Sequence, residues 1–367
     1  MAEPIAVYVH VPFCPSKCGY CDFNSYAMTG DIHERTVQAM EREILSSPIA
    51  GRPAKTVFFG GGTPTFLSSE QICRLLAAVL ATHPPVAGCE ITSEGNPGTV
   101  DTPKFAAMRE AGFNRLSLGA QSFASGDLMR LGRVHDASDI GRAVLAARQA
   151  GFDNLNLDLI FGLPGQTPRA WANNLELAML LRPEHLSLYG LTIEANTRFY
   201  RYDRRGLLNL PSEDDHLEML SVAARVAHEN GLGQYEISNF ARPGRECQHN
   251  LCYWRAEEYA GYGPGAVGRV GRRRSTNMKH PERYCDAVEQ GAELSCDGED
   301  VTDDMLAFER VMLGLRLNDG VAASEPALDS AGVERALARD WVAREGDRLV
   351  LTAAGRPLCN QVLAEIL

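Results

Sequence analysis

The first two thirds of the chain alternate between two patterns of apolar and polar residues. Short runs rich in β-branched and aromatic side chains have the length and composition of buried strands. They are "IAVYVHV", "KTVFFGGG", "CEITSEGNP", "RLSLGAQSF", "NLNLDLIFGLP" and "HLSLYGLTI". Between or after them lie "ERTVQAMEREIL", "SEQICRLLAAVL", "KFAAMREAG", "DIGRAVLAARQAG", "AWANNLELAMLL" and "DDHLEMLSVAARVAHENG", with apolar residues at helical spacing. Helix stops stand out in "EAGF", "QAGF" and "ENGLG", where Gly follows the last turn. Six strand-then-helix units predict a parallel sheet with helices packed outside it. The polar, glycine-rich strings "GGGTPT", "EGNP", "GAQSF" and "GLPGQT" follow strands two to five. They fall at the C-terminal strand ends, where a (β/α) barrel or a doubly wound sheet places its ligand. Six units rather than eight predict a partial, open (β/α)6 barrel over residues 1–240, with room for a large substrate.

Beyond residue 240 this texture breaks. Residues 241–299 are rich in Arg, Gly and Tyr and are expected to be irregular. Residues 300–367 read as helix "DDMLAFERVMLGLRL", helix "VERALARDW", a short "DRLVLT" and helix "RPLCNQVLAEIL". They predict a small, mainly helical, winged-helix-like domain. The net charge of −11 argues against nucleic-acid binding, which calls for a basic face. No apolar run approaches the roughly 20 residues of a membrane helix, and the N-terminus lacks signal-peptide features. Ten cysteines without an export signal predict reduced thiols in the cytoplasm rather than a disulfide framework.

Three of those cysteines, Cys14, Cys18 and Cys21, fall within "VPFCPSKCGYCDF" after the first strand. Zinc sites usually close four ligands with two C-x2-C pairs. Here the spacing is C-x3-C-x2-C, and Cys247 and Cys252 lie five apart and far downstream. Three thiolates on a [4Fe–4S] cluster leave one iron open to an outside ligand. The other reading is a tight loop with incidental cysteines.

The C-x3-C-x2-C string, with Tyr20 before its last cysteine, resembles the hallmark of the radical S-adenosylmethionine (SAM) family. The resemblance implies that SAM chelates the open iron and that one electron from the cluster cleaves its sulfonium to methionine and a 5′-deoxyadenosyl radical. It also implies that Gly60, Gly61, Gly62 and Thr63 contact the methionine amino group. Tyr8, Glu94, Gln121, Arg133 and Asp158 match the family's polar SAM contacts, and Tyr20 is a further match to its pattern. Over most of residues 5–315 the motifs resemble the oxygen-independent coproporphyrinogen III oxidase-like group.

Within that group, the dehydrogenase branch carries an N-terminal arm and C-x3-C-x2-C-x-C. This chain begins 13 residues before Cys14 and has Phe23 at the fourth cysteine position. It has "HNLCYW" instead, matching the H-N-x-x-Y-W signature of a haem-chaperone branch that hands haem to acceptor proteins. That match implies His249 as an axial ligand to haem iron, with Tyr253 and Trp254 as flat apolar surface for the porphyrin. One departure is Val267 and Gly268, where relatives usually carry His-Ser. The basic run Arg272 to Arg274 suits haem propionates or a solvated loop. The expectation is a cytosolic haem chaperone on a radical SAM fold, carrying a [4Fe–4S] cluster, SAM and haem, with no catalytic residue assigned. Membrane respiratory enzymes are among the implied acceptors, and a homodimer is left open. The alternatives are the dehydrogenase, which decarboxylates coproporphyrinogen propionates, and a structural iron–sulfur protein.

Overall fold

The computed structural model describes residues 2–367. Six strands run parallel in sequence order: β1 (Ile5–Val11), β2 (Ala54–Gly61), β3 (Pro85–Gly95), β4 (Arg115–Gln121), β5 (Leu155–Phe161) and β6 (His185–Gly190). The helices connecting them are α1 (Ile32–Leu45), α2 (Ser69–Thr82), α3 (Thr102–Ala111), α4 (Ser125–Leu131), α5 (Ala137–Gln149) and α6 (Pro168–Leu180). After β6 come α7 (Arg198–Asp203) and α8 (Glu213–Glu229), then the short strands β7 (Gly233–Gln234) and β8 (Asn239–Ala241), with β8 antiparallel to β6. Helix ends follow the chemistry of their residues. Ser68 and Gln71 form a reciprocal capping box on α2, and Gly112 closes α3 with a φ of 119°.

Strand periodicity decides what the sheet is for. Successive side chains alternate between faces, and here the two faces differ in polarity. Val7, Val9, Val57, Phe59, Leu116, Leu118, Leu157, Leu159, Leu186 and Leu188 all join the main hydrophobic core. The intervening residues are polar or aromatic: Tyr8 and His10 on β1, Thr56 on β2, Glu90 and Glu94 on β3, Arg115 and Ser117 on β4, Asn156 and Asp158 on β5, and His185 and Ser187 on β6. The apolar face anchors the structure, and the polar face is free for chemistry.

The expectation of an irregular segment over 241–299 is corrected by the structure. It holds α9 (Gln248–Trp254), β9 (Tyr259–Tyr262), β10 (Val267–Val270), β11 (Arg273–Asn277), α10 (Pro281–Gln290) and β12 (Ser295–Asp300). β9 pairs parallel to β1, and β10 to β12 continue antiparallel, giving the order β12-β11-β10-β9-β1-β2-β3-β4-β5-β6-β8-β7. These elements escape pattern reading for a physical reason. The strands span four to six residues with polar sequences such as "RRSTN" and "SCDGED", as an exposed antiparallel edge allows. α9 spans seven residues, too short to show a period.

The C-terminal unit contains α11 (Asp303–Gly314), β13 (Val321–Ala322), α12 (Ser330–Ala338), β14 (Val342–Glu345), β15 (Arg348–Leu351) and α13 (Cys359–Ile366). The unit is less purely helical than expected: its sheet is three-stranded, in the order β13-β15-β14. A separate apolar core joins Val311, Leu315, Val333, Leu349, Val362 and Ile366.

Candidate functional site

The three cysteines lie in the long connection between β1 and α1, which is fixed from several sides. The Cys14 amide donates to the Tyr26 carbonyl (3.1 Å), and the Tyr26 amide donates to Pro12 (2.7 Å). The Gly19 amide donates to Leu131 at the end of α4 (3.0 Å), and the Phe199 amide of α7 donates back to Gly19 (2.9 Å). The Lys17 ammonium reaches the carbonyls of Phe23 and Ser25. A loop without regular structure is thereby held rigid.

Cys14, Cys18 and Cys21 open onto one cavity of about 390 Å³. The same cavity is lined by Tyr20, Gly61, Gly62, Thr63, Glu94, Gln121, Arg133 and Asp158. Four consecutive strand ends thus meet the cysteine loop, and the glycines at the end of β2 are required by close approach. A Cβ on Gly62 would lie 2.6 Å from the Phe13 carbonyl oxygen, and one on Gly61 would lie 2.5 Å from the His10 ring, at a φ of 105°. Gly61 therefore serves the backbone as much as any ligand, and a bulky residue there strains the fold. Gln121, at the end of β4, is held at a φ of 64°, an uncommon backbone state for a non-glycine residue. The Arg133 guanidinium donates to the Cys18 sulfur (3.6 Å) and the Gly119 carbonyl (2.9 Å), while its buried Nε has no partner.

The thiol set fits a cluster better than a single ion. Among the described residues, no three His, Cys, Asp or Glu side chains converge closely enough to share one metal ion, whereas a [4Fe–4S] cluster places each thiolate on a different iron. Burial pushes the Cys14 and Cys21 thiols up, against hydrogen bonds from Thr63 and Ser25 to Cys14 and from the Phe23 backbone to Cys21. The Cys14 sulfur lies 3.4 Å from the Thr63 hydroxyl. All ten cysteines are free thiols.

A second cavity, about 290 Å³, adjoins the first and is bounded in common by Glu94, Ser117, Asp158 and Tyr189. Tyr8, His249 and Tyr253 line this inner cavity, together with Arg115, which composition and spacing did not single out. Arg115 is 2% exposed and meets Glu90 at 3.9 Å with no closer protein partner for its Nε. A charged residue opening an otherwise apolar strand was its one sequence signal. Glu94 is largely buried and lines both cavities. Burial, then repulsion from Asp158, pushes its carboxyl up to about 8, with the Gly61 amide and Arg115 opposing. Burial raises Asp158 as well, against hydrogen bonds from Asn156, Ser187 and Ser117.

His249 sits on α9, whose N-terminus is capped from β3. The Glu90 carboxylate accepts from the Gln248 and His249 amides at 3.2 Å each. The His249 ring is 1% exposed, with Nδ1 at 2.8 Å from the Thr56 hydroxyl and Nε2 at 2.9 Å from the Tyr253 hydroxyl. It stacks on Phe58 at 5.1 Å. Trp254 does not join Tyr253 in the cavity. Consecutive helical residues point about 100° apart, and the Trp254 ring lies under the Arg316 guanidinium of the C-terminal unit, its buried Nε1 without a partner. Val267 and Gly268 sit on β10 beside Gly261 and line neither cavity. The basic run is consumed by pairing: Arg272 with Asp303, Arg273 with Asp300, and Arg274 with Glu299 and Glu309.

A parallel α/β sheet whose strand ends face a three-thiol loop defines the class of radical SAM proteins, and the Radical SAM superfamily model matches residues 8–178. The class implies a [4Fe–4S] cluster and SAM. The solved coproporphyrinogen III oxidase (HemN) from Escherichia coli, described as a radical SAM enzyme, superposes with a TM-score of 0.85. It is 26% identical, over 99% of this chain and 90% of that one. The heme chaperone HemW of Bacillus subtilis is 37% identical over 99% of both chains. That of Escherichia coli is 38% identical over 98% of this chain and 97% of its own. The chain belongs to the heme chaperone HemW family. No helix among the described residues is long and apolar enough to cross a membrane.

Proposed function

We propose that this protein is a cytosolic haem chaperone that takes up haem and passes it to haem-accepting proteins, on a partial (β/α)6 barrel carrying a [4Fe–4S] cluster and SAM. The observation that carries the reading is end-to-end similarity to proteins named heme chaperones, at 37% and 38% identity. The placement of His249 and Tyr253 on a cavity sharing a wall with the cysteine cavity supports it. Cys14, Cys18 and Cys21 would hold the cluster, which when bound supplies one electron at a time. Gly61, Gly62, Thr63, Glu94, Gln121, Arg133 and Asp158 would hold SAM, and Tyr20, in the same loop, closes the cavity wall. Tyr8 belongs to the inner cavity, between His10 and His249. The test is titration of the anaerobic protein with haem, where a shifted Soret band at one haem per chain supports uptake. Transfer to an apo-haemoprotein, followed by its spectrum, completes it.

Glu94 gives this reading a pH dependence. Two crowded carboxyls suppress each other's ionisation, and a cationic ligand beside them favours the ionised forms. SAM carries an ammonium and a sulfonium, so its binding is expected to release a proton from Glu94 near neutral pH. Affinity should therefore rise with pH and level off above about 8. Calorimetry in two buffers of different ionisation enthalpy measures the proton count. A pH-independent affinity in wild type, or an unchanged proton count in Glu94→Gln, rules Glu94 out.

The second reading, coproporphyrinogen dehydrogenation, has the likeness to the solved oxidase in its favour. Against it stands Phe23, 64% exposed at the cavity rim where that branch carries a cysteine. Purified, reconstituted protein is expected to give no multiple-turnover formation of protoporphyrinogen. Sustained turnover would replace the chaperone reading with the enzyme.

A further inference from the structure

His249 is buried with both ring nitrogens engaged, so haem has to settle on the protein before that residue can meet iron. Haem is an apolar plane with two carboxylates on one edge, and the surface that suits it combines exposed apolar area with unpaired arginines. The run Arg272 to Arg274 is excluded because acidic partners neutralise it. α7 and the turn after it, "RFYRYDRRGL", differ. Arg201, Arg204 and Arg205 are exposed and, among the described residues, form no ion pair, in a chain of net charge −11. The acidic groups nearby are Asp203 in the same run, Asp22 in the cysteine loop and Glu194, the last two on the cavity wall.

The segment abuts the cysteine loop through Phe199. Phe199 donates its amide to Gly19 (2.9 Å) and meets the Tyr20 ring edge-on at 6.4 Å. The buried side of the segment is anchored by Phe199 against Leu131, Ile160 and Leu163. Its outer side leaves Leu207 64% exposed, as Phe23 is on the rim.

We infer that the α7 segment, with Arg201, Arg204, Arg205, Tyr200, Tyr202 and Leu207, is the surface on which haem first docks, its propionates on the guanidiniums and its ring over the exposed apolar side chains. The inference rests on the chaperone reading above and assigns it an entry site. Arginine pairs with carboxylates in a forked geometry, and exposed pairs weaken with salt.

The experiment uses the full chain with its cluster reconstituted, titrated with haem and with haem dimethyl ester, which lacks the two negative charges. The variant combines Arg201→Glu, Arg204→Glu and Arg205→Glu, all at exposed positions outside the cluster and SAM cavity. Haem affinity is expected to fall at least tenfold, with ester affinity and cluster iron unchanged. Haem affinity equal to the parent's overturns the inference, and so does an equal loss for haem and ester, which would mean that the charges act through the fold. Unchanged haem binding with loss of cluster reduction by an acidic electron-carrier protein would give the surface to that partner and likewise overturn it. A parent protein that binds neither porphyrin removes the chaperone reading, and this inference with it.

Discussion

Single replacement of Cys14, Cys18 or Cys21 by Ala is expected to abolish the iron–sulfur cluster, from about four irons per chain in the reconstituted parent to none retained after desalting. All three thiols line one cavity and no other cysteine lines it, so the cavity has no substitute thiolate to offer. Cys73→Ala and Cys359→Ala should keep full iron. The Cys73 sulfur donates to the Ala107 carbonyl at 3.6 Å, and Cys359 is buried in the C-terminal core. Since burial holds the Cys14 and Cys21 thiols protonated near neutrality, cluster assembly has to displace their protons. Reconstitution should therefore go further at pH 8.5 than at pH 6.5. Iron and sulfide analysis with the visible absorption of the cluster measures all of this. A Cys18→Ala protein that retains a [4Fe–4S] spectrum would refute the assignment.

Loss of the cluster should leave the barrel folded. The apolar faces of β1 to β6 pack against the helices without using the loop's sulfurs, and the loop has its own backbone ties to α4 and α7. The same two-faced design explains what was legible from the sequence. Each strand run was recognisable by its recurring apolar residues, and each strand-end motif because glycine and polar residues gather where the apolar run stops. Cys14, Cys18, Cys21, Gly62, Thr63, Glu94, Gln121, Arg133 and Asp158 meet in one cavity because parallel strands bring their C-terminal ends together. The inner cavity was not legible. Arg115, Asn156 and Ser187 alternate with apolar residues like any residue on the second face of a strand, and their convergence depends on which residues of neighbouring strands stand side by side, such as Asp158 opposite Ser187. The role of Glu90 as a cap on α9 spans 158 residues of sequence. The haem signature was legible as a string but not as a shape, since a seven-residue helix separates Trp254 from Tyr253 by orientation alone.

His249→Ala is expected to remove the low-spin Soret and Q-band features of bound haem while cluster absorption remains. The ring is neutral across the physiological range. Burial, followed by Lys55 and Arg115, lowers its pKa to about 3, so no proton competes with iron for its nitrogen. In the present arrangement Nε2 meets the Tyr253 hydroxyl at 2.9 Å, and that contact must open for ligation. Tyr253→Phe removes the hydroxyl and keeps the ring, so it should bind haem at least as tightly as the parent. If His249 instead only holds α9 to β2 through Thr56, His249→Ala would strand two buried hydroxyls and leave a void, costing about 2–4 kcal/mol and leaving the haem spectrum intact. The stability profile adds a check with a definite sign. A histidine whose folded pKa is depressed is protonated first in the unfolded chain, so acidification from about 6.5 to about 3 destabilises the fold by about 1.4 kcal/mol per pH unit from this group alone. That slope should flatten in His249→Gln. Cys252 is the competing ligand, a buried thiol pushed up to about 11 by burial, whose sulfur donates to the Gln248 carbonyl at 3.2 Å. Loss of haem in Cys252→Ala with retention in His249→Ala would move the iron ligand to the thiolate. Native haem spectra in both variants would take α9 out of haem binding altogether.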